Sequence, residues 1–446
     1  MKSSPAGNQF FGRYGVTVAL LAILTLYGFT AHSRRERIAT PASSGDQAAY
    51  MAYARQMYES DYTVVGQRNR MPIYPFLLSL IYKPGMDEEQ FLQCAQTFNV
   101  NLSIVLLLIL FVIFRRFFSA SHALALVTAT AFGVFLYRAP YAQTEVVFYF
   151  ASFCAFLLLL QTLIAPRWWF AVAGGIMIGL AYLMKASILP TLGVWGTVFI
   201  AQSLWCLLND RSGGVSAFWK RIGLLLVVLS AFTAVILPYI RTNKRVFGQY
   251  LYNESSTFVM WCDSWPEGKD FLDTYGPGGK WQTLPPDQIP SATKYWREHS
   301  IAQIVQRLVK GLVDLAGLKM QIIGYYKFVA LLLLTAVVLW IRRRERGNEV
   351  LGRKPFATAF CFLFLTMYIV LYAWYGAIVK DSRFILSIFL PSVLAISLFI
   401  DAMGRDRSIV IAGGRYSFMP LFSVILAGLA LVDLVYNLVA GSVGQS

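Results

Sequence analysis

Long apolar stretches alternate with short polar ones along most of this chain. Roughly 20 consecutive apolar residues are enough to cross a bilayer as a helix. About eleven such stretches follow one another, at 12–30, 100–118, 120–138, 144–164, 168–184, 187–208, 221–240, 320–341, 356–376, 384–402 and 417–439. In hydrocarbon a backbone finds no water to bond, so each stretch is expected to satisfy itself as an α-helix. The pattern predicts an all-α integral membrane protein, a bundle of about eleven transmembrane helices forming a single membrane domain over 1–446. The first stretch, Val16 to Thr30, resembles a signal-peptide core in length, but no small-x-small pattern closes it, and it is expected to be a retained helix.

Two long polar segments interrupt the pattern, 31–99 and 241–319. In the second, Gly276-Pro277-Gly278-Gly279 and Pro285-Pro286 mark irregular backbone. Beyond them Ile301, Ile304, Val305, Leu308, Leu312 and Leu315 recur at helical spacing, with Arg297, Arg307 and Lys310 on other faces. This is a basic amphipathic helix, suited either to the membrane interface or to packing on a core.

Composition agrees with the pattern. Charged residues make up 14% of the chain, against about 25% in soluble domains, and mean hydropathy is +0.56. The net charge of +16 would suggest nucleic acid in a soluble protein. Here most of it falls in alternate short connections, at Arg115, Arg116, Arg167, Arg211, Lys220, Arg221, Arg342 to Arg344, Arg346, Arg353, Lys354, Arg405, Arg407 and Arg415. Such loops belong in the cytoplasm, which places 31–99 and 241–319 on the extracytoplasmic side; no nucleic-acid partner is expected. Arg34, Arg35 and Arg37 run against the rule, which long translocated segments obey poorly. Cys154, Cys206 and Cys361 fall in apolar stretches, while Cys94 and Cys262 fall in the outer segments, where pairing is one option. His32, His122 and His299 are scattered, and no metal-ligand spacing is present.

Acids near the membrane are few. Asp46, in Gly45-Asp46-Gln47-Ala48-Ala49-Tyr50, precedes a helical stretch and could simply cap it. It shares its segment with Arg68-Asn69-Arg70-Met71-Pro72-Ile73-Tyr74-Pro75, which reads as chain entering the interface beside a charged pocket. Glu145 begins the fourth span, where a helix dipole favours a carboxylate; it could equally face an outer cavity. Arg138, Lys185, Lys380 and Arg383 map to short outer turns, and Arg241, Lys244 and Arg245 follow the seventh span on the same side. Snorkelling accounts for any one of them. Together they suit an anionic lipid phosphate at the outer surface.

These residues carry a resemblance. Gly45-Asp46 to Tyr50 and Ala54, then Arg70, Pro72, Tyr74, Pro75 and Leu78, resemble the acidic first-loop motif and Arg-x-Pro-x-Tyr-Pro segment of the GT-C superfamily of membrane glycosyltransferases. The branch in view holds protein O-mannosyltransferases and the lipid A aminoarabinose transferase. Thr144-Glu145 resembles the acidic position of the second outer loop, and Gly179-Leu180-Ala181-Tyr182-Leu183-Met184-Lys185 the Gly-Leu-Ala-x-Leu-x-Lys stretch. Leu237-Pro238-Tyr239-Ile240-Arg241-Thr242-Asn243 with Phe247-Gly248 resembles the Pro-Trp-x-x-Arg-Asn…Phe-Gly pattern, with Tyr239 for Trp, and Arg383-Phe384 the late Arg-Tyr pair, with Phe384 for Tyr. Gln47 stands where protein O-mannosyltransferases carry Glu, which argues against that subgroup.

The resemblance implies a GT-C-like bundle and transfer of a sugar from a polyprenyl-phosphate donor to an acceptor hydroxyl on a lipid, glycan or protein, with inversion. It implies a bacterial inner-membrane enzyme of the cell envelope, its site facing the periplasm. Asp46 would be the base and Glu145 a second catalytic acid. Lys185, Arg241 and Arg383, with Arg70 and Arg138, would hold the donor phosphate, and Tyr50 and Tyr74 would belong to the acceptor-facing loop. Two carboxylates could hold a divalent ion, but lipid-monophosphate donors in this superfamily generally do without one, so no cofactor is expected. Two other classes remain: a secondary transporter, which would show repeats and polar groups at mid-bilayer, and a polysaccharide polymerase, which would need no acid in the first loop.

Overall fold

The computed structural model describes residues 5–38, 40–66, 68–209, 214–317, 326–411 and 414–439. The helices in order are α1 (Pro5–Glu36), α2 (Gly45–Glu59), α3 (Ile73–Ser79), α4 (Glu88–Phe114), α5 (Ala120–Thr130), α6 (Leu136–Arg138), α7 (Glu145–Ile164), α8 (Trp168–Tyr182), α9 (Leu189–Asn209) and α10 (Gly214–Phe247). They continue with α11 (Glu254–Thr257), α12 (Trp265–Tyr275), α13 (Ala292–Glu298), α14 (Ile301–Gly317), α15 (Tyr326–Arg342), α16 (Arg344–Gly352), α17 (Pro355–Tyr375), α18 (Ser382–Ile385), α19 (Phe389–Gly404) and α20 (Phe418–Val439). Each expected span falls on a helix. Among the described residues, eight helices are long and apolar enough to cross a membrane, and α8 and the first part of α20 are shorter apolar helices. The span expected at 320–341 is α15; residues 318–325, where it would begin, lie outside the described residues. The protein is an all-α, multi-pass membrane protein.

Local chemistry sets several boundaries. Asp87 accepts from the Gln90 amide at 2.8 Å while Gln90 Oε1 accepts from the Asp87 amide, a reciprocal box that starts α4 twelve residues before the apolar run. The first polar segment is therefore shorter than the hydropathy suggested. A π-helical turn, Ala131–Phe135, joins α5 to α6 and carries the chain to Arg138. Among the described residues a single strand pair departs from helix: β1 (Ser408–Ile411) pairs antiparallel with β2 (Gly414–Ser417). The β-branched run Ile409-Val410-Ile411 suits a strand, but it is too short to stand out beside the spans.

Connectivity sorts the helix ends. The chain turns at one end of the bundle between α6 and α7, between α8 and α9, after α10 and between α17 and α18. The Arg-rich turns between α4 and α5, α15 and α17, and α19 and α20 lie at the other. Outward side chains along the spans are apolar, among them Val105, Val112, Leu226, Leu334, Ile341 and Phe362. That is the surface of a protein whose solvent is lipid.

The tightest helix pair is α8 with α10. A Cβ on Gly175 would meet the Val228 carbonyl at 2.5 Å, and one on Gly179 would meet Val235 Cβ at 2.8 Å. Glycines four apart let two helices approach closely where no hydrophobic effect drives them together. This pairing fixes the end of α8, from which Lys185 projects. Gly179→Leu should lower stability by about 1–3 kcal/mol through overpacking, read as a fall in the thermal midpoint in detergent. Gly193→Ala, with no atom within 4 Å of the new methyl, should leave the midpoint in place; equal effects would refute the packing argument.

The two polar segments have apolar cores of their own. One gathers Tyr50, Met51, Tyr74, Leu78 and Phe91; the other Phe247, Tyr252, Phe258 and Trp281. The amphipathic helix α14 does both things its sequence allowed. Ile304, Leu308, Gly311 and Leu315 face inward, with Gly311 so close to the Ala373 carbonyl that no side chain fits. Ile301, Val305, Val309 and Val313 face out, as on a helix lying in a membrane interface. Arg307 is not on the outer face: it is buried between the rings of Trp374 and Tyr295, 4.3 and 4.9 Å from their centroids.

Candidate active site

Asp46 does not cap α2. Ser44 holds the N-cap position, Gly45 enters at φ +66°, and Asp46 stands in the first turn with its carboxylate free to point away. The helix dipole favours a negative charge there. Its two oxygens accept from two guanidiniums: Arg70 donates to Oδ1 and Arg383 to Oδ2. Asp46 and Arg383 are 337 residues apart in the chain.

Arg383 is the hub. It also lies 3.1 Å from Asp381 Oδ2 and 4.0 Å from Glu145 Oε1. Asp381 caps α18 by accepting from the Arg383 amide at 2.8 Å, which orients the residue, and Tyr149 donates to the Arg383 carbonyl. Each carboxylate has in addition a cation of its own. Asp46 has Arg70; Glu145, only 2% exposed, accepts from Lys185 Nζ at 2.7 Å; Asp381 accepts from Arg138 at 3.3 Å. Four cations thus face three carboxylates, and the surplus positive charge is Arg383. Lys185 and Arg383 also lie over the Phe384 ring, at 5.4 and 5.2 Å, so the aromatic after Arg383 serves as a cation–π surface even without a hydroxyl.

Behind this cluster stands a clamp. Arg68 is buried in the left-handed region, φ +64°. It donates to Asn243 Oδ1 at 2.8 Å and to the Tyr53 hydroxyl at 3.0 Å, and lies 4.4 Å over the Tyr239 ring. Asn253 returns a bond to the Arg68 carbonyl at 2.9 Å. The first polar segment is thereby fastened to the end of α10 and to the second segment, two residues from Arg70. Tyr50 and Tyr74 meet edge to face at 5.0 Å, and Arg70 lies 5.3 Å over Tyr50. Burial pushes the Tyr50 hydroxyl far above its usual range, so it stays a neutral donor.

Of the residues singled out in the sequence, Asp46, Glu145, Lys185, Arg383, Arg70 and Arg138 come together, with Tyr50 and Tyr74 beside them. Arg241 does not join. It is exposed on α10 and, among the described residues, makes no ion pair to the cluster; Tyr239 and Asn243 are what its motif contributes. Lys380 pairs instead with Asp314 at 2.9 Å. Cys94 and Cys262 are both free thiols. Asp381, Arg68 and Glu254 were not anticipated. The Asp-Ser-Arg run at 381–383 and Asn253 before Glu254 signalled only helix starts. Among the described residues no three His, Cys, Asp or Glu side chains are grouped as metal ligands.

A cavity of about 440 Å³ opens between the end of α9 and the start of α10, lined by Trp205, Asn209, Lys220 and Arg221 among others; it shares no residue with the cluster. The cluster itself can do two things. Its surplus positive charge can bind an anion, and its carboxylates can accept protons once a cation is drawn away.

No family model matches the sequence, and no curated protein matches it. Among solved structures the chain is similar to the archaeal oligosaccharyltransferase AglB from Archaeoglobus fulgidus, determined in complex with an inhibitory peptide and a dolichol-phosphate, at 14% identity and a TM-score of 0.47, over 95% of this chain and 55% of that one.

Proposed function

We propose that the protein is a GT-C-type glycosyltransferase that moves a sugar from a polyprenyl-phosphate donor to an acceptor hydroxyl at the extracytoplasmic face of the membrane. The observation that carries this reading is the meeting of Asp46, Arg70, Glu145, Lys185 and Arg383 at one end of the bundle, from four separate stretches of chain. A transporter reading would place its polar groups at mid-bilayer; here they gather at helix ends.

In this mechanism the donor phosphate competes with Asp46 for Arg383 and Arg70. Guanidinium forks suit phosphate oxygens. As the phosphate takes one of them, an Asp46 oxygen is released and accepts the acceptor's hydroxyl proton. The acceptor oxygen bonds to the anomeric carbon while the bond from that carbon to the phosphate oxygen breaks. Polyprenyl phosphate leaves as an anion supported by Arg383 and Lys185, so no acid need protonate it. Attack opposite the leaving group inverts the anomeric centre. Lys185 and Arg383 lie against Glu145, which holds both cations at the site.

The test is transfer from a labelled polyprenyl-phosphate sugar by folded Asp46→Asn protein. Loss of the base should lower the rate about 10²–10⁴-fold; a rate within a few-fold of the parent would sink the assignment.

A further inference from the structure

Glu254 opens α11 and is 6% exposed. Among the described residues its carboxylate makes no hydrogen bond and no ion pair. A carboxyl so little exposed is costly to ionise, and its neighbours show where a partner would come from. Asn253, just before it, is fastened to the Arg68 carbonyl, two residues from Arg70. Ser255, just after it, lies near the Tyr375 hydroxyl, which is also near Arg383, Asp46 and Arg70. Glu254 is thus held beside the Arg68 clamp, with Arg70 of the Asp46 cluster as its nearest charge.

Burial pushes the Glu254 carboxyl up to about 7, and Arg70 is the one charge that pulls it back. The other groups around it are neutral at that pH. Tyr252 precedes it on its own segment, the turn Val259–Trp261 packed on α11 offers no titratable side chain, and α17 brings Tyr375 near Ser255.

We infer that Glu254 is a second contact for the donor phosphate and works in its protonated form: with donor bound, its carboxyl is neutral and gives its hydrogen to a phosphate oxygen. This rests on the donor reading above. A phosphate that engages Arg70 removes the one positive charge favouring the Glu254 carboxylate and adds a negative charge nearby. Both changes favour the neutral acid, whose O–H then donates to an anionic oxygen. Donor binding therefore takes up a proton from solvent.

The sign follows by linkage. Donor affinity is full below about pH 7 and falls as pH rises, by at most about tenfold per pH unit. A prenyl-phosphoryl hexose is a suitable probe, because a phosphodiester has no ionisation of its own near neutrality, so the slope belongs to the protein. Its binding to the full chain in detergent, followed by calorimetry from about pH 6.5 to 8.5, should weaken about 10–30-fold. Glu254→Gln keeps an N–H donor and has nothing to protonate; its profile should be flat, and it should bind more tightly than the parent at the alkaline end. Glu254→Ala should be flat and weaker than the parent at pH 6.5. A flat parent profile, a slope that survives in Glu254→Gln, or parent-like binding by Glu254→Ala at pH 6.5 would overturn the role of Glu254. Failure of the parent to bind the probe at any pH would instead remove the donor reading itself.

Discussion

Arg383→Gln is expected to lower sugar transfer by about 10²–10³-fold, the scale seen when one pre-organised group opposite a developing negative charge is removed, and to leave the protein folded. The second half follows from how the cluster shares its charges. With Arg383 gone, Asp46 keeps Arg70, Glu145 keeps Lys185, and Asp381 keeps Arg138. No carboxylate is stranded, so the penalty of an unpaired buried charge does not arise. What disappears is the surplus positive charge that a phosphate would answer. Arg383→Lys restores charge without the two-pronged fork and should recover only part of the rate, because an ammonium is a point donor. The measurement is initial rate and donor affinity for parent, Gln and Lys proteins, each checked by its thermal midpoint. Transfer by Arg383→Gln within about threefold of the parent, at an unchanged midpoint, would mean that Arg383 is structural and that the phosphate binds elsewhere.

The sequence disclosed the bundle far more fully than the site, for physical reasons. A span is a local property: about 20 apolar residues declare themselves whatever else the chain does. A catalytic constellation is not local. Asp46 and Glu145 could be named because a carboxylate near a membrane boundary is expensive enough to need a reason. Arg383 could be named because it breaks the positive-inside trend, and Arg70 because it opens the Arg-x-Pro-x-Tyr-Pro segment. The pairing between them could not be read, since it depends on which helix ends converge. Arg241 shows the converse. Its motif was legible, but the α10 helix turns Tyr239 and Asn243 inward and leaves Arg241 exposed, a matter of helical phase that a motif does not encode. Glu254 had no signal beyond the Asn253 cap, because its place depends on a contact far along the chain, Asn253 to the Arg68 carbonyl. Arg307 likewise read as an outer-face charge until Trp374, from the end of a distant span, covered it.

Lys185→Met is expected to act first on stability. Glu145 is almost fully buried, and its close partner is Lys185 at 2.7 Å; Arg383 stands at 4.0 Å and is shared with two other acids. Removing one partner of a buried ion pair leaves the other uncompensated and costs about 3–5 kcal/mol, enough for a marked fall in the thermal midpoint. Neutralising Glu145 as well should repair this. Lys185→Met with Glu145→Gln replaces charge by similar volume on both sides, and buried pairs so replaced are often neutral in stability. The double variant should therefore regain most of the lost midpoint, giving a coupling energy of a few kcal/mol in the cycle. Transfer should not return with it, because the leaving phosphate has lost one of its cations while Arg383 still pairs with Asp46 and Asp381. Stability and activity would then move apart along one series of variants. A single Lys185→Met as stable as the parent would show that Glu145 does not depend on Lys185 for its charge. A double variant that recovered transfer along with its fold would show that Lys185 serves Glu145 alone and has no part in holding the donor.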